Sequence, residues 1–151
     1  MNEKFNIESW VGGIIDGEGW VGIIKTTARR DNAYYRVGVQ VCNVNPLMAL
    51  TLQKHFGGSI DIIRSKKKNE RPIFRWYLND SKATAFLLKI EGSVVCKKEE
   101  VFFAIELQGI CDRFKGQHYK NIPNVIAVAK EALYLKCKEL KHKEWINAQN
   151  I

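Results

Sequence analysis

Two carboxylates alternate with glycines in Asp16-Gly17-Glu18-Gly19, at the end of the run Val11-Gly12-Gly13-Ile14-Ile15. Side chains of this type offer oxygen ligands to a hard divalent cation such as magnesium. Ile7, Trp10, Val11, Ile14 and Ile15 recur at helical spacing and predict an amphipathic helix with Asn6 as its N-cap. Ser9, Gly12, Gly13 and Asp16 on the other face are small or short, which suits the close approach of a second helix. Glycine inside a helix costs about 1 kcal/mol relative to alanine, so a consecutive pair needs such a reason. Gly17 and Gly19 are expected to end the helix and leave Glu18 on its rim. Cys42, Cys96, Cys111 and Cys137 form no CxxC pair and predict buried free thiols rather than a zinc site or a disulfide framework. His55, His118 and His142 make no ligand cluster.

The nonapeptide Val11 to Gly19 resembles the signature of the LAGLIDADG homing endonucleases, position by position. Val11 stands for the first leucine, Gly12 for the alanine, Gly13 for the glycine, and Ile14 and Ile15 for the leucine and isoleucine. Asp16 matches the first aspartate and Gly17 and Gly19 the glycines, while Glu18 replaces the second aspartate and keeps its carboxylate. The chain holds no second copy of this motif.

The elements that must position these residues follow in order. Trp20 to Thr27 reads as a strand and Ala28 to Asn32 as a polar turn. In Tyr34 to Asn43, Tyr35, Val37, Val39 and Val41 share one face while Arg36, Gly38, Gln40 and Cys42 share the other. Asn45 and Pro46 open a helix to His55 with Leu47, Leu50 and Leu52 as its apolar positions, stopped by Gly57-Gly58. Ser59 to Arg64 and Ile73 to Leu78 are strands around a basic loop, Ser65 to Arg71. Asp80 or Ser81 caps a helix to about Ile90. A further helix is expected from about Val95 to Phe114 and, after a polar break, a last one from Asn124 to roughly Trp145. The resemblance implies this α-β-β-α-β-β-α order, an α+β fold with an antiparallel DNA-binding saddle. It covers most of the chain up to about Phe114. The 151 residues are read as one domain, with a core over about 5–114 and a C-terminal helical extension over about 124–146.

The resemblance also implies roles. Glu18 is the metal-holding acid, helped by the Gly17 carbonyl, with Mg2+ as the cofactor, two or more ions per dimer, and Ca2+ or Mn2+ as substitutes. Asp16 has a structural role, capping the partner helix or its own turn. A lysine is expected where a helix begins after the second strand pair; position selects Lys97, with Lys98 next in order. Asn43 stands where related enzymes place a polar residue that positions water. Leu47 occupies a place that is basic in some relatives. One carboxylate per chain is too few to cut both strands, so a homodimer packed through Ser9, Gly12, Gly13 and Asp16 follows.

Twenty-four Lys and Arg against sixteen Asp and Glu leave a net charge of +8, which points to a polyanionic partner. Double-stranded DNA is expected, read by Arg36, Gln40, Arg64, Arg75 and Tyr77 on the polar strand faces and held at phosphates by Arg29, Arg30, Lys66, Lys67, Lys68 and Arg71. In the first strand the facing is open between Ile24 with Thr26 and Lys25 with Thr27, and Lys25 is included on charge alone. No apolar run approaches the roughly 20 residues that span a bilayer, and Met1 to Lys4 lacks a signal-peptide profile. A soluble intracellular protein is expected, in the cytoplasm or an organelle matrix. The resemblance implies an intron-encoded endonuclease that breaks both strands of a long, nearly palindromic site. The alternative is a nucleic-acid-binding protein of the same fold, a maturase or regulator without cleavage, with intron RNA as its partner.

Overall fold

The computed structural model describes residues 6–27, 33–67 and 69–149, and the side chains within them except those of residues 119 and 144–149. The order is α1 (Ile7–Glu18), β1 (Gly19–Thr27), β2 (Ala33–Asn43), α2 (Pro46–Phe56), β3 (Ser59–Ile63), β4 (Ile73–Asn79), α3 (Asp80–Ile90), α4 (Lys98–Arg113) and α5 (Asn124–Gln149). The fold is α+β in the expected αββαββα order. All strand pairings are antiparallel in the spatial order β1-β2-β4-β3, so the second pair of strands joins the first through β4.

Helix α1 begins where Asn6 Oδ1 accepts the backbone N–H of Glu8 at 3.0 Å and of Ser9 at 3.1 Å. It runs through Gly17 to Glu18 rather than ending at Gly17. Gly19 then turns directly into β1, its N–H donating to the carbonyls of Ile14 and Ile15. A Cβ at Gly19 would lie 2.7 Å from the Ile15 backbone, so this exit has room only for glycine.

The core lies between one face of the sheet and the helices. The alternation of β2 places Val37, Val39 and Val41 inside. Trp76 of β4 is fully buried, its ring 5.3 Å from Phe86 of α3 at 66° and its Nε1–H donating to the Gly57 carbonyl at 2.7 Å. Burying two large rings edge to face contributes more than their area alone. Gly57 and Gly58 hold φ of 71° and 91°, left-handed values that let α2 stop and β3 start within two residues.

Several boundaries and faces differ from expectation. Helix α2 buries Ala49 and Leu52, with Met48 and Phe56 half-buried, while Leu47 and Leu50 stand outside at 66% and 51% exposure. Neither Asp80 nor Ser81 caps α3: Asn79 holds the N-cap position without a side-chain bond, and Asp80 is the first residue of α3 with a left-handed φ of 53°. Helix α4 starts at Lys98, because residues 95–97 form a turn held from outside the helix. Helix α5 extends past Trp145 to Gln149. The thiols are free as expected, yet only Cys137 is buried and Cys96 is exposed. Burial pushes the Cys137 thiol up to about 11.

Candidate nucleic-acid interface and carboxylate tip

Asp16 organises the C-terminal end of α1. Its Oδ2 accepts the backbone N–H of Val95 at 2.7 Å, and its Oδ1 accepts those of Cys96 and Lys97 at 3.0 and 3.1 Å. One carboxylate thus caps the turn that leads into α4 of its own chain. A negative charge beside unpaired N–H groups at a helix start is stabilising. The same contact seats Lys97, whose Nζ donates to the Asp16 carbonyl at 2.5 Å. Lys97 therefore sits at the end of α1, whereas Lys98 is the exposed first residue of α4.

Glu18 is the exposed last residue of α1. The final carbonyls of a helix lack intrahelical partners, and Gly17 supplies one of them next to the Glu18 carboxylate. This hard-oxygen pair suits magnesium or calcium, but it does not close a coordination shell. Among the described residues no group of three or more His, Cys, Asp and Glu could hold a metal ion by itself. Asn43 ends β2 at the same end of the sheet: Gly19 pairs with Val41 two residues before it. Its Oδ1 accepts the Asn45 N–H at 2.8 Å, which fixes the entry into α2.

The two glycines of α1 separate. Gly12 is buried, and a Cβ there would lie 2.4 Å from the Ser93 carbonyl oxygen, so its smallness serves packing inside the protomer. That removes Gly12 from the expected dimer surface, as its own chain's bonds remove the Asp16 carboxylate. Gly13 and Gly17 are exposed with nothing within 4 Å of an added Cβ. With exposed Ser9 they form a stripe at four-residue spacing, Ser9-Gly13-Gly17, that leads to Glu18. Gly17 joins the stripe only because α1 continues through it, which a glycine at a helix end does not signal in the sequence.

The sheet face away from the core carries a shallow depression of about 250 Å3 lined by Arg36, Gln40, Arg75 and Tyr77 together with Trp20, Ile24 and Asp61. The register explains the grouping: Gln40 pairs with Tyr77, Cys42 with Arg75 and Ile24 with Arg36. Arg75 is held by Asp61 at 2.5 Å and lies 5.5 Å from the Tyr77 ring. The bond to Asp61 holds the Arg75 guanidinium above its ordinary value. The Nε atoms of Arg36 and Arg75 are buried without a hydrogen-bond partner among the described residues.

Two expected DNA contacts leave this face. Lys25 pairs with Tyr35 on the core side, and its Nζ bonds Glu131 of α5 at 2.8 Å, so Ile24 and Thr26 take the open side instead. Arg64 lies just beyond β3, alternating away from Asp61. It lines a hollow with Ile62, Phe74, Lys66 and Lys67 rather than the depression. Lys66, Lys67 and Arg71 are exposed in the β3–β4 connection, Lys67 within 3.4 Å of Glu70. Arg29, Arg30 and Lys68 lie outside the described residues. Asp61 escaped the sequence reading because a lone acid in a strand carries no sign of a cross-strand partner.

A carboxylate-ended helix crossing the back of a β1-β2-β4-β3 saddle, followed by a cap-seated lysine, defines the architectural class. The chain has the LAGLIDADG homing endonuclease fold. It resembles the crystal structure of the homing endonuclease I-CvuI, solved in complex with the I-CreI target in the presence of magnesium with the DNA not cleaved, at a TM-score of 0.71 and 15% identity over 88% of this chain and 80% of that one. The archaeal intron-encoded homing endonuclease I-Vdi141I, complexed with DNA, matches at 0.57 and 14% identity over 85% of this chain and 96% of its own. I-SmaMI, a LAGLIDADG homing endonuclease bound to cleaved DNA, matches at 0.60 and 14% identity over 86% of this chain but only 45% of its own length. No protein-family profile and no curated protein matches the sequence.

Proposed function

We propose that the chain is one protomer of a homodimeric, magnesium-dependent, sequence-specific DNA endonuclease of the homing type. The observation that carries this reading is the uncovered Ser9-Gly13-Gly17 stripe ending in an exposed Glu18, beside a sheet face bearing Arg36, Gln40 and Arg75. Two helix glycines with no neighbour to an added Cβ among the described residues are costly unless another backbone approaches them. A second copy packed two-fold on this stripe brings two Glu18 carboxylates together.

Glu18 and the Gly17 carbonyl would hold the metal, with phosphate oxygens and the partner's matching pair completing its shell. When bound, a divalent ion activates water and offsets charge on the phosphorane. Lys97, tethered to the end of α1 by the Asp16 carbonyl, places a cation where that charge develops. Asn43, held by its bond to the Asn45 N–H, orients water at the same end of the sheet. The saddle face binds duplex DNA, Arg36, Gln40 and Arg75 reading base edges while Lys66, Lys67 and Arg71 meet phosphates.

Leu47 favours the second reading, binding without cleavage as a maturase or regulator, with intron RNA as an additional partner: it is 66% exposed at a place where the resemblance implies a basic residue. One comparison separates the two. The wild-type protein with magnesium and a randomised duplex library is expected to yield cut ends of a single near-palindromic sequence, and Glu18→Gln to bind that sequence without cutting. Unchanged nicking by Glu18→Gln overturns the assigned role, and specific binding without any cutting by wild type favours the alternative.

A further inference from the structure

The open face of the β3–β4 ribbon carries three successive cross-strand pairs: Ser59 with Tyr77, Asp61 with Arg75, and Ile63 with Ile73. The first two are polar. The third is apolar on both strands, yet Ile63 is 42% and Ile73 38% exposed. This pair lies beside the Asp61–Arg75 ion pair, and Lys66, Lys67 and Arg71 follow in the connection, where only Glu70 opposes them. It neutralises no phosphate and fills no core.

We propose, resting on the DNA-binding reading above, that Ile63 and Ile73 form a base-reading step that packs on thymine C5-methyl groups in the major groove. Thymine presents there the one apolar group among the four bases, and apolar side chains select it. The ribbon supplies a ruler. Residues two apart in a strand are about 6.6–6.8 Å apart, close to twice the roughly 3.4 Å rise of a base pair. Arg75, fixed between Asp61 and the Tyr77 ring, reads guanine, and the isoleucine pair reads thymine about two base pairs away. The flanking cations draw the duplex onto the face, so DNA rather than an apolar protein surface is the occupant.

The test begins with duplexes selected by wild-type binding from a randomised library in calcium. Each half of the selected site is expected to contain a G·C pair and, two base pairs from it, a T·A pair. Replacing that thymine by deoxyuridine in one half of the site removes only the methyl group and should weaken wild-type binding about three- to fivefold. The Ile63→Ser/Ile73→Ser variant should melt like wild type and bind the two duplexes equally. Because the deoxyuridine comparison needs no substitution in the protein, it stands even if the variant misfolds. Equal wild-type affinity for both duplexes, or a methyl preference kept in the double variant, overturns the proposal and leaves DNA recognition standing. A library that yields no preferred sequence overturns the DNA reading and this step with it.

Discussion

A methyl group added at Gly12 would sit 2.4 Å from the Ser93 carbonyl oxygen, whereas one added at Gly13 would meet nothing within 4 Å. Gly12→Ala should therefore overpack α1 against Ser93 and cost about 1–3 kcal/mol, read as a lower denaturation midpoint. Gly13→Leu should leave the protomer folded, with a normal circular dichroism spectrum, and yield monomers in sedimentation. A full-strength dimer from Gly13→Leu would refute the stripe as the interface. Asp16→Ala leaves three backbone N–H groups of the 95–97 turn without their acceptor and should cost about 1–2 kcal/mol, in the range of a lost helix cap. It should also slow cleavage while sparing DNA binding, because Lys97 loses the turn that seats it. At this scale the candidate site was legible where the motif is local: the places of Asp16 and Glu18 at the end of α1 follow from the nonapeptide, while Lys97, 81 residues on from Asp16, was placed only by the resemblance. The division between Gly12 and Gly13 was not, since it depends on Ser93, distant in sequence and brought alongside only by the fold.

Helix α5 braces the outer strand of the saddle. Glu131 accepts from Lys25 Nζ at 2.8 Å and from the Tyr35 hydroxyl, and Lys141 Nζ donates to the Val21 carbonyl at 2.8 Å while lying 4.1 Å from the centre of the Trp20 ring. Covering the free edge of β1 in this way blocks pairing with another strand. The bond from Lys25, then that from Tyr35, holds the Glu131 carboxyl below its usual value. A depressed acid contributes stability that is present above the ordinary glutamate value of about 4.3 and is lost as pH falls through the lower folded value. Lys25 is raised chiefly by the Glu131 bond and Tyr35 chiefly by burial, so their contributions are present below about pH 10 and fade as pH rises through the raised folded values. The melting-temperature gap between wild type and Glu131→Gln should be widest near neutrality and close below about pH 4; a gap that persists undiminished in acid contradicts the brace. Among the elements, β2 was readable because alternation of valines with Arg36, Gly38 and Gln40 leaves one register. Strand β1 was not, because adjacent Ile23 and Ile24 are apolar on both faces, so Lys25 could be assigned to the open side. The outward Leu47 and Leu50 of α2 mislead for a similar reason: apolar residues occur on both faces, and packing against the sheet selects Ala49 and Leu52.

At the scale of the whole molecule, a net charge of +8 on 151 residues and an open polar sheet face make the salt dependence of DNA binding a measure of assembly. Each phosphate neutralised contributes about 0.9 to the slope of log K against log salt on duplex DNA. Lys66 is exposed on the β3–β4 connection and is proposed as a phosphate contact. In a two-fold dimer one substitution is present twice. Lys66→Ala should therefore lower the slope by about 1.8, where a monomer on DNA would lose only about 0.9, and should weaken all sequences alike. Arg75→Ala should act differently, loosening the preference at one base pair in each half-site. The measurement is a set of binding isotherms across salt concentrations for wild type and both variants on a selected site and on a scrambled one. A slope change near 0.9 for Lys66→Ala would mean that a single copy engages the duplex, and the paired glycine stripes could not then bring two Glu18 carboxylates over it.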